Sequence, residues 1–210
     1  MKTILIQNHD PKKQTIFKDF CLNFANVFTK KNKKVLYLLT SFNYDLKNAK
    51  KLEAKIKTIK PFIIDEITDK LHVLNLLTPE AKNIKINQIE DILFVLKKQI
   101  KMVEKSYDFL VIGLLDQWHE LDQFFIDLNS QNYFHFLNAK DELSFPLSFI
   151  NDYNLHSGVI FANYSPLSKA SNNNLKQLRL TYKNNPDIFV IDETKTVSDL
   201  SDHELINKLI

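Results

Sequence analysis

The chain contains two glycines in 210 residues, Gly113 and Gly158, and therefore none in its first 112 residues. It nevertheless opens with the strand–loop–helix order that α/β proteins use to hold nucleotide phosphates, beginning with the apolar segment Thr3–Gln7. A phosphate-binding loop at such a junction needs glycine, because only glycine lets successive backbone N–H groups turn inward and approach phosphate closely. The sequence therefore predicts this architecture without its usual phosphate-binding chemistry.

The composition indicates one globular domain spanning residues 1–210, because 44% of the residues are hydrophobic and the net charge is only +3. A single cysteine, Cys21, excludes an internal disulfide and fits a reducing cytoplasm. The apolar N-terminal segment is too short for a signal peptide, and the run Phe109–Leu115 is too short to cross a bilayer. We therefore expect a cytoplasmic protein without membrane insertion.

Strand and helix patterns alternate, which favours a three-layer α/β fold with a mostly parallel central sheet of about seven strands flanked by helices. Strands are predicted at Thr3–Gln7, Lys34–Leu39, Leu71–Leu77, Phe109–Leu114, Tyr133–Leu137, Ser157–Phe161 and Asp187–Ile191. Helices are predicted at about Thr15–Lys31, Leu46–Lys60, Asn87–Lys105, Leu121–Asn129, Pro146–Tyr153 and Asn173–Asn184, and Ser198 is the expected N-cap of a last helix ending at Ile210.

Three stretches carry a resemblance to a known family: Met1–Asn8 with the helix and Lys33–Leu38 that follow it, Tyr107–Gly113, and Ser157–Tyr164. Together with the order of elements, they resemble the ParA/MinD branch of the P-loop ATPases, which comprises partition and division-site positioning proteins. The similarity covers most of the chain at the level of pattern. It implies a P-loop NTPase-like fold.

The phosphate-binding motif of that family is not intact. Matching from the first strand places the phosphate-binding lysine at Thr15, and matching back from the second strand places it at Phe17. The family's second signature lysine falls at Asp10 or at Lys12, depending on the same ambiguity. The degenerate phosphate-loop region is thus Asp10, Lys12, Lys13 and Thr15.

The acidic motifs of the family are also absent. The strand that carries its water-positioning aspartate ends here in Leu39-Thr40-Ser41, and the aspartate that supports Mg²⁺ becomes Gly113. Without these groups nothing orients a nucleophile or holds a metal's outer ligands. We therefore expect no catalytic residues, no bound metal and no ATP–Mg²⁺ cofactor.

Two features leave room for a residual ligand. Asn163 stands where the resemblance implies an asparagine that contacts the nucleotide base, although asparagine is common in this chain. Lys12 and Lys13 precede a helix, whose N-terminus favours anions, although a solvated turn entering the helix is the simpler interpretation.

A polar segment follows the strand Phe109–Leu114 and contains Asp116, Trp118, His119 and Glu120. These carboxylates and His119 could serve a divergent hydrolase as an acid–base pair or as part of a metal site. The simpler interpretation is an acidic helix start without metal. Trp118, the single tryptophan, is either a partner anchor, with His119 and Asp116 beside it, or part of the core.

Lysines cluster in two stretches. If helical, the first brings together Lys47, Lys50 and Lys51, with Lys55 one turn on, which suits tracking of DNA phosphates or a solvated face. A second cluster has the same two interpretations and comprises Lys97, Lys98, Lys101 and Lys105. The acidic C-terminal tail disfavours the membrane-targeting helix of MinD-type proteins, because anionic lipid would repel it.

The sequence favours a non-catalytic, bacterial ParA/MinD-like pseudo-ATPase that acts as an interaction or positioning module in partition or in placement of envelope complexes. By resemblance, its partners would be a homodimer mate, an active relative, or a DNA- or envelope-associated complex. The expected interaction face is formed by the loops 8–14, 40–45 and 114–120. Two alternatives remain: a DNA-binding partition accessory, and a divergent enzyme using Asp116, His119 and Glu120.

Overall fold

A computed structural model describes residues 1–10, 14–39, 50–52, 63–75, 96–98, 100–115, 119–128, 132–143, 158–181, 187–195 and 197–210. The strands of this part of the chain are β1 (Lys2–Asn8), β2 (Val35–Leu39), β3 (Lys50–Leu52), β4 (Ile63–Glu66), β5 (Leu71–Asn75), β6 (Phe109–Leu114), β7 (Tyr133–Asn138), β8 (Gly158–Tyr164) and β9 (Ile188–Asp192). The helices are α1 (Gln14–Lys30), α2 (His119–Leu128), α3 (Lys169–Thr181) and α4 (Glu204–Leu209), with 3-10 helices at Glu104–Ser106 and Val197–Asp202. Residues 96–98 and 100–103 are also helical.

The described strands form one sheet in the order β3-β4-β5-β2-β6-β1-β7-β8-β9. Seven of them, from β5 to β9 across the sheet, are mutually parallel, as predicted. The central strands are continuous apolar runs, because helices cover both faces of a parallel sheet. All seven predicted strands are present, and β8 extends three residues beyond its predicted end.

The sheet has an antiparallel extension that the sequence analysis missed. Strand β4 pairs antiparallel with β5, and β3 pairs antiparallel with β4 at the edge. The predicted helix Leu46–Lys60 is therefore wrong at Lys50–Leu52, which is a strand, and its remaining residues lie outside the described part. Backbone pairing with a neighbouring strand has overridden the weak helical pattern of this lysine-rich stretch.

Two apolar layers pack against the two faces of the sheet. On one face, α1 contributes Phe17, Phe24 and Phe28, which pack with alternate residues of the strands such as Ile4 and Val111. On the other face, α2 contributes Phe125 to a second layer of strand residues. The helices that follow β1 and β6 therefore lie on opposite sides of two neighbouring strands.

The C-terminal segment packs against the α1 face. Leu200, Leu205, Ile206 and Leu209 are buried there, as expected for residues that pack onto the sheet or a partner. The predicted cap is wrong, however, because α4 begins after His203, whose ring accepts a hydrogen bond from the Leu205 N–H. Ser198 instead lies in the preceding 3-10 helix.

Helix starts differ from the prediction by a few residues. Helix α3 begins at Lys169 rather than Asn173, because the Ser168 hydroxyl accepts a hydrogen bond from the Ser171 N–H and so starts the helix earlier. Helix α2 begins at His119 rather than Leu121. The predicted helix Pro146–Tyr153 lies outside the described residues. Within the described ranges, no helix combines the length and apolar character needed to span a bilayer.

Candidate functional site

The candidate site lies at the carboxyl edge of the sheet, where β2, β6 and β1 end side by side. Because the helices after β1 and β6 leave toward opposite faces, a crevice is expected at this position, and open α/β sheets place their ligands there. The sheet order thus brings together two described parts of the predicted interaction face, residues 8–10 and residues 114–115. The remaining residues of the three loops, apart from 14, 119 and 120, lie outside the described part.

The turn that follows β1 is closed by a side chain. The buried Asn8 amide donates from Nδ2 to the Asp10 carbonyl over 2.7 Å, and its Oδ1 accepts from the Asp10 N–H over 3.3 Å. A phosphate-binding loop would instead present its N–H groups to the ligand. Here the Asp10 N–H is used within the turn.

A buried pair of histidines fills the space beside this turn. His9 Nε2 lies 2.6 Å from His135 Nδ1 on β7, and the ring centroids are 4.8 Å apart with planes inclined by 29°. His9 is 3% exposed and His135 is fully buried. At this distance one nitrogen carries the hydrogen and the other accepts it, so the hydrogen bond between the two rings contains one proton. His135 Nε2 makes no hydrogen bond to any described residue.

A second buried hydrogen bond supports the pair. The Tyr133 hydroxyl donates to Gln7 Oε1 over 2.6 Å, and the Tyr133 ring meets His135 edge-on with centroids 4.8 Å apart. Gln7 and His135 are direct partners across the β1–β7 register. We call Gln7, His9, Tyr133 and His135 the carboxyl-edge cluster.

Burial keeps both imidazoles of this cluster neutral. Burial lowers the pKa of His9 to about 4. Burial, and secondarily the neighbouring His9 ring, lowers the pKa of His135 well below its ordinary value. A charged imidazolium is costly where water is excluded. At neutral pH both histidines of the cluster are therefore uncharged.

The first turn of α1 carries none of the cations that a phosphate site needs. The two positions predicted for the phosphate-binding lysine both fall in this turn. Thr15 is exposed, whereas Phe17 is fully buried against the Phe136 ring, with centroids 5.4 Å apart. Asp10 is partly exposed in the turn before the helix, and Lys12 and Lys13 lie outside the described residues.

The strands beside β1 end without carboxylates. Gly113 pairs with Ile6 on one side and with Leu39 on the other, so it occupies the middle of the three-strand carboxyl edge. This is the position at which the resemblance implies the aspartate that supports Mg²⁺. Gly113 has no side chain and leucine has a hydrocarbon side chain, so neither Gly113 nor Leu39 provides a side-chain ligand for a divalent cation.

Asn163, the penultimate residue of β8, has a left-handed backbone conformation, with φ of 57°, at an irregularity in the β8–β9 pairing and just before the loop that follows this strand. The loop is held by hydrogen bonds from Tyr164 Oη to Asn172 Oδ1 and from Asn172 Nδ2 to the carbonyls of Pro166 and Ser168. Leu167 at its tip is 97% exposed. A fixed loop thus displays an apolar side chain at the carboxyl edge.

The other predicted site residues are only partly placed. His119 and Glu120 are the first residues of α2, whereas Asp116 and Trp118 lie outside the described residues. Of the predicted DNA-contacting lysines, Lys50 and Lys51 lie in β3, far across the sheet order from β1, and Lys47 and Lys55 lie outside the described part. In the ranges that the structure describes, no group of three or more His, Cys, Asp or Glu is placed to hold a metal ion.

Sequence reasoning missed the carboxyl-edge cluster. The histidines are 126 residues apart, and nothing local marks them as a pair. A signal did exist, because the polar residues Gln7 to His9 follow Ile6 at the end of β1, and the polar residue His135 interrupts the largely apolar strand Tyr133–Asn138. Only the pairing of β1 with β7 converts that signal into a contact.

Comparison with solved structures identifies the fold. A plasmid partition protein from Borrelia burgdorferi is 16% identical with a TM-score of 0.61, and the likeness covers 100% of both chains. An McdA variant from Cyanothece, in complex with ATP, is 14% identical with a TM-score of 0.63, covering 100% of this chain and 88% of that one. The MinC:MinD complex from Aquifex aeolicus gives 13% identity and a TM-score of 0.52, covering 95% and 85%.

No family model matches the chain, and no curated protein matches it significantly in sequence. At identities of 13–16% the likeness shows the fold, which is the P-loop NTPase-like α/β fold of partition and positioning proteins. The fold expectation drawn from the sequence is confirmed.

Proposed function

We propose that this chain, which has the fold of the ParA/MinD proteins, is a non-catalytic relative that acts as an interaction or positioning module. The observation that carries the proposal is the carboxyl-edge cluster. Its buried His9–His135 pair and the closed Asn8–Asp10 turn lie at the carboxyl end of β1, at the start of the connection to α1.

The electrostatics of the edge support this proposal. A triphosphate requires inward N–H groups, a lysine and a metal held by carboxylates. The Asp10 N–H is bonded within its turn, the first turn of α1 offers Thr15 and Phe17, and the middle strand ends in Gly113. Each of the three requirements is unmet at the described positions.

The proposed interaction role depends on the surface at the carboxyl edge of the sheet. Leu167 is almost wholly exposed on a loop fixed by the Tyr164 and Asn172 hydrogen bonds, so little conformational entropy would be lost on binding. We propose that the partner is a second copy of this chain or a related protein of the same fold. The solved relatives include a MinC:MinD complex, in which such a protein is bound to a partner.

Phosphate release from ATP tests the absence of catalysis. We expect no protein-dependent release at millimolar ATP and Mg²⁺, with or without duplex DNA. The matched control is the Lys12→Ala/Lys13→Ala variant purified identically, because these are the lysines of the loop between β1 and α1. Turnover that scales with the wild-type protein and disappears in that variant would overturn the proposal.

Self-association tests the interaction role. We expect concentration-dependent dimerisation in sedimentation velocity that is weakened by Leu167→Ser, whereas Leu180→Ser on α3, itself about half exposed, leaves it unchanged. If neither variant nor wild type associates, a mixture with a purified active relative is the second measurement. Absence of complex in both experiments would contradict the interaction role.

A second candidate function is nonspecific binding of DNA. Lys97, Lys98, Lys101 and Lys105 are all exposed; Lys97 and Lys98 lie in the helical residues 96–98, Lys101 in the helical residues 100–103, and Lys105 in the 3-10 helix Glu104–Ser106. Anisotropy of a labelled duplex should then show salt-sensitive affinity. Replacing Lys97, Lys101 and Lys105 by Gln should reduce the slope of log affinity against log salt by about 3, with Lys176→Gln on α3 as control.

A further inference from the structure

We propose that the loops that follow β7, β8 and β9 form one preformed docking platform for a second copy of this chain, with Leu167 as its apolar anchor and Asn172 and Glu193 as positioning residues. The platform comprises residues 138–143, 165–168 and 193–195. It serves the interaction role proposed above and rests on it, because the partner is the same.

Asn172, near the start of α3, holds the loop that follows β8. Its Nδ2 donates to the carbonyls of Pro166 and Ser168 over 2.8 and 2.9 Å, and these two residues flank Leu167. The Ser168 N–H donates in turn to the Ser165 carbonyl over 3.0 Å and closes the turn. One side chain of α3 therefore fixes the backbone on both sides of the exposed leucine.

Glu193 holds the same loop from the side of β9. Its N–H donates to the Tyr164 carbonyl over 2.8 Å, and its carboxylate accepts from the Ser165 hydroxyl and, over 2.8 Å, from Lys140 Nζ. These hydrogen bonds, that from Lys140 first, lower the pKa of Glu193 below its ordinary value. Lys140 belongs to the loop after β7, so this one carboxylate joins all three loops.

Asn174 links the loop after β7 back to α3. Its Nδ2 donates to the carbonyls of Ala139 and Asp141 over 2.9 and 2.8 Å. Helix α3 thus holds the loops after β7 and β8, and Glu193 joins both of them to the loop after β9. A surface that is already ordered loses little conformational entropy when a partner binds. The described bonds therefore make the three loops one preformed unit.

The charge distribution of the platform favours a second copy as its partner. The turn that carries Leu167, residues 165–168, has no charged side chain. Charged residues of both signs that are at least partly exposed lie beside this turn, and they are Lys140, Lys169, Asp192, Glu193 and Lys195. A surface of one sign repels its own copy, whereas a surface of both signs can place opposite charges face to face about a two-fold axis. In such a pair the apolar anchor of each copy is buried between the two platforms.

Sedimentation velocity on a matched pair of asparagine variants tests the platform. Asn172→Ala removes the bonds that hold the loop, whereas Asn173→Ala makes the same change at an exposed neighbour on α3. We expect Asn172→Ala to weaken dimerisation about tenfold, which is roughly the cost of ordering one backbone residue, and Asn173→Ala to leave it unchanged. In a Leu167→Ser background, Asn172→Ala should cause no further loss, because it acts through Leu167.

Hydrogen exchange of the Ser168 amide, followed by NMR in dilute monomeric protein, separates a positioning residue from a direct contact. We expect this amide to exchange about tenfold faster in Asn172→Ala than in the wild type or in Asn173→Ala. Glu193→Ala should increase the exchange and weaken dimerisation in the same way, and it replaces Asn172→Ala if that variant does not fold. Unchanged exchange in both variants would overturn the positioning roles.

The salt dependence of dimerisation tests the choice of a second copy. Raising NaCl from about 50 to about 500 mM should weaken the dimer, because salt screens opposite charges. Dimerisation that salt strengthens, or that Asn172→Ala and Leu167→Ser leave unchanged, would overturn the platform while the interaction role stands on another surface. A wild-type chain that stays monomeric but binds a purified active relative would overturn the second copy as partner. If neither complex forms, the interaction role fails with the platform, whereas the Ser168 exchange result depends on no partner.

Discussion

Replacing Gly158 by Ala tests the packing of the sheet next to the candidate site. Gly158 begins β8 and pairs directly with Phe134 on β7. A Cβ at residue 158 would lie 2.7 Å from both Cδ1 and Cε1 of the Phe134 ring and 3.2 Å from the Asp187 carbonyl oxygen. Ordinary contacts of this kind are 3.5 Å or longer, so the ring must move by about 0.8 Å.

Two effects of opposite sign determine the result. Removing backbone freedom from the unfolded chain would stabilise the Ala variant by about 0.4–1 kcal/mol, since no described glycine has a positive φ. Overpacking a buried ring costs about 1–3 kcal/mol. Phe134 is 6% exposed and packs edge-on against Phe189, so it has little room to move. We expect a net loss of about 1–2 kcal/mol in the free energy of unfolding.

Urea denaturation followed by circular dichroism measures this change, and a double-mutant cycle assigns it. In a Phe134→Leu background the clashing ring atoms are absent, so Gly158→Ala should become neutral or stabilising there. A coupling energy of at least about 1 kcal/mol between the two positions is expected. If Gly158→Ala is as stable as the wild type, or if its cost persists without the Phe134 ring, the packing explanation is wrong.

Three further predictions concern buried groups. Tyr133→Phe leaves Gln7 Oε1 buried without its donor and should cost about 1–3 kcal/mol in urea unfolding; Tyr164→Phe, whose bond to Asn172 is exposed, is the control, and equal costs would contradict this. Because the pKa of His9 is about 4 when folded and near 6.5 when unfolded, the unfolded chain binds more protons and stability falls as the pH drops. The loss between pH 7.5 and 5.0 should be about 2 kcal/mol by urea unfolding, and an unchanged free energy would refute it. Burial raises the pKa of the Cys21 thiol well above its ordinary value, so Ellman's reagent should modify it only after denaturation, and rapid modification of the native protein would contradict its burial.

The fold could be predicted because its signals are local. Apolar runs such as Val35–Leu39 and Phe109–Leu114 are long enough to identify strands buried on both faces, and the α1 spacing of Phe20, Phe24 and Phe28 identifies a helix. The short edge strands β3 and β4 escaped prediction, because Lys50–Leu52 has no strand pattern of its own. Its conformation is set by pairing with β4.

From the sequence, only two properties of the candidate site could be predicted: its location at the carboxyl ends of the strands, and the lack of the usual phosphate- and metal-binding residues. The strand ends that meet there follow from the element order, and Gly113 and Thr15 can be read directly from the sequence. The carboxyl-edge cluster itself could not be predicted, because the His9–His135 contact depends on the pairing of β1 with β7 rather than on residues close in sequence. The N-cap of α4 at His203 also escaped prediction, since Ser198 is the better cap by residue type.

Calorimetric titration of the purified protein with ATP and with ADP, each with Mg²⁺, tests the central claim most directly. The carboxyl-edge cluster and the closed Asn8–Asp10 turn predict no binding heat, and no thermal stabilisation, at millimolar nucleotide. Micromolar binding of either nucleotide would contradict the account, because it would require phosphate contacts at an edge where the described residues provide none of the usual ones.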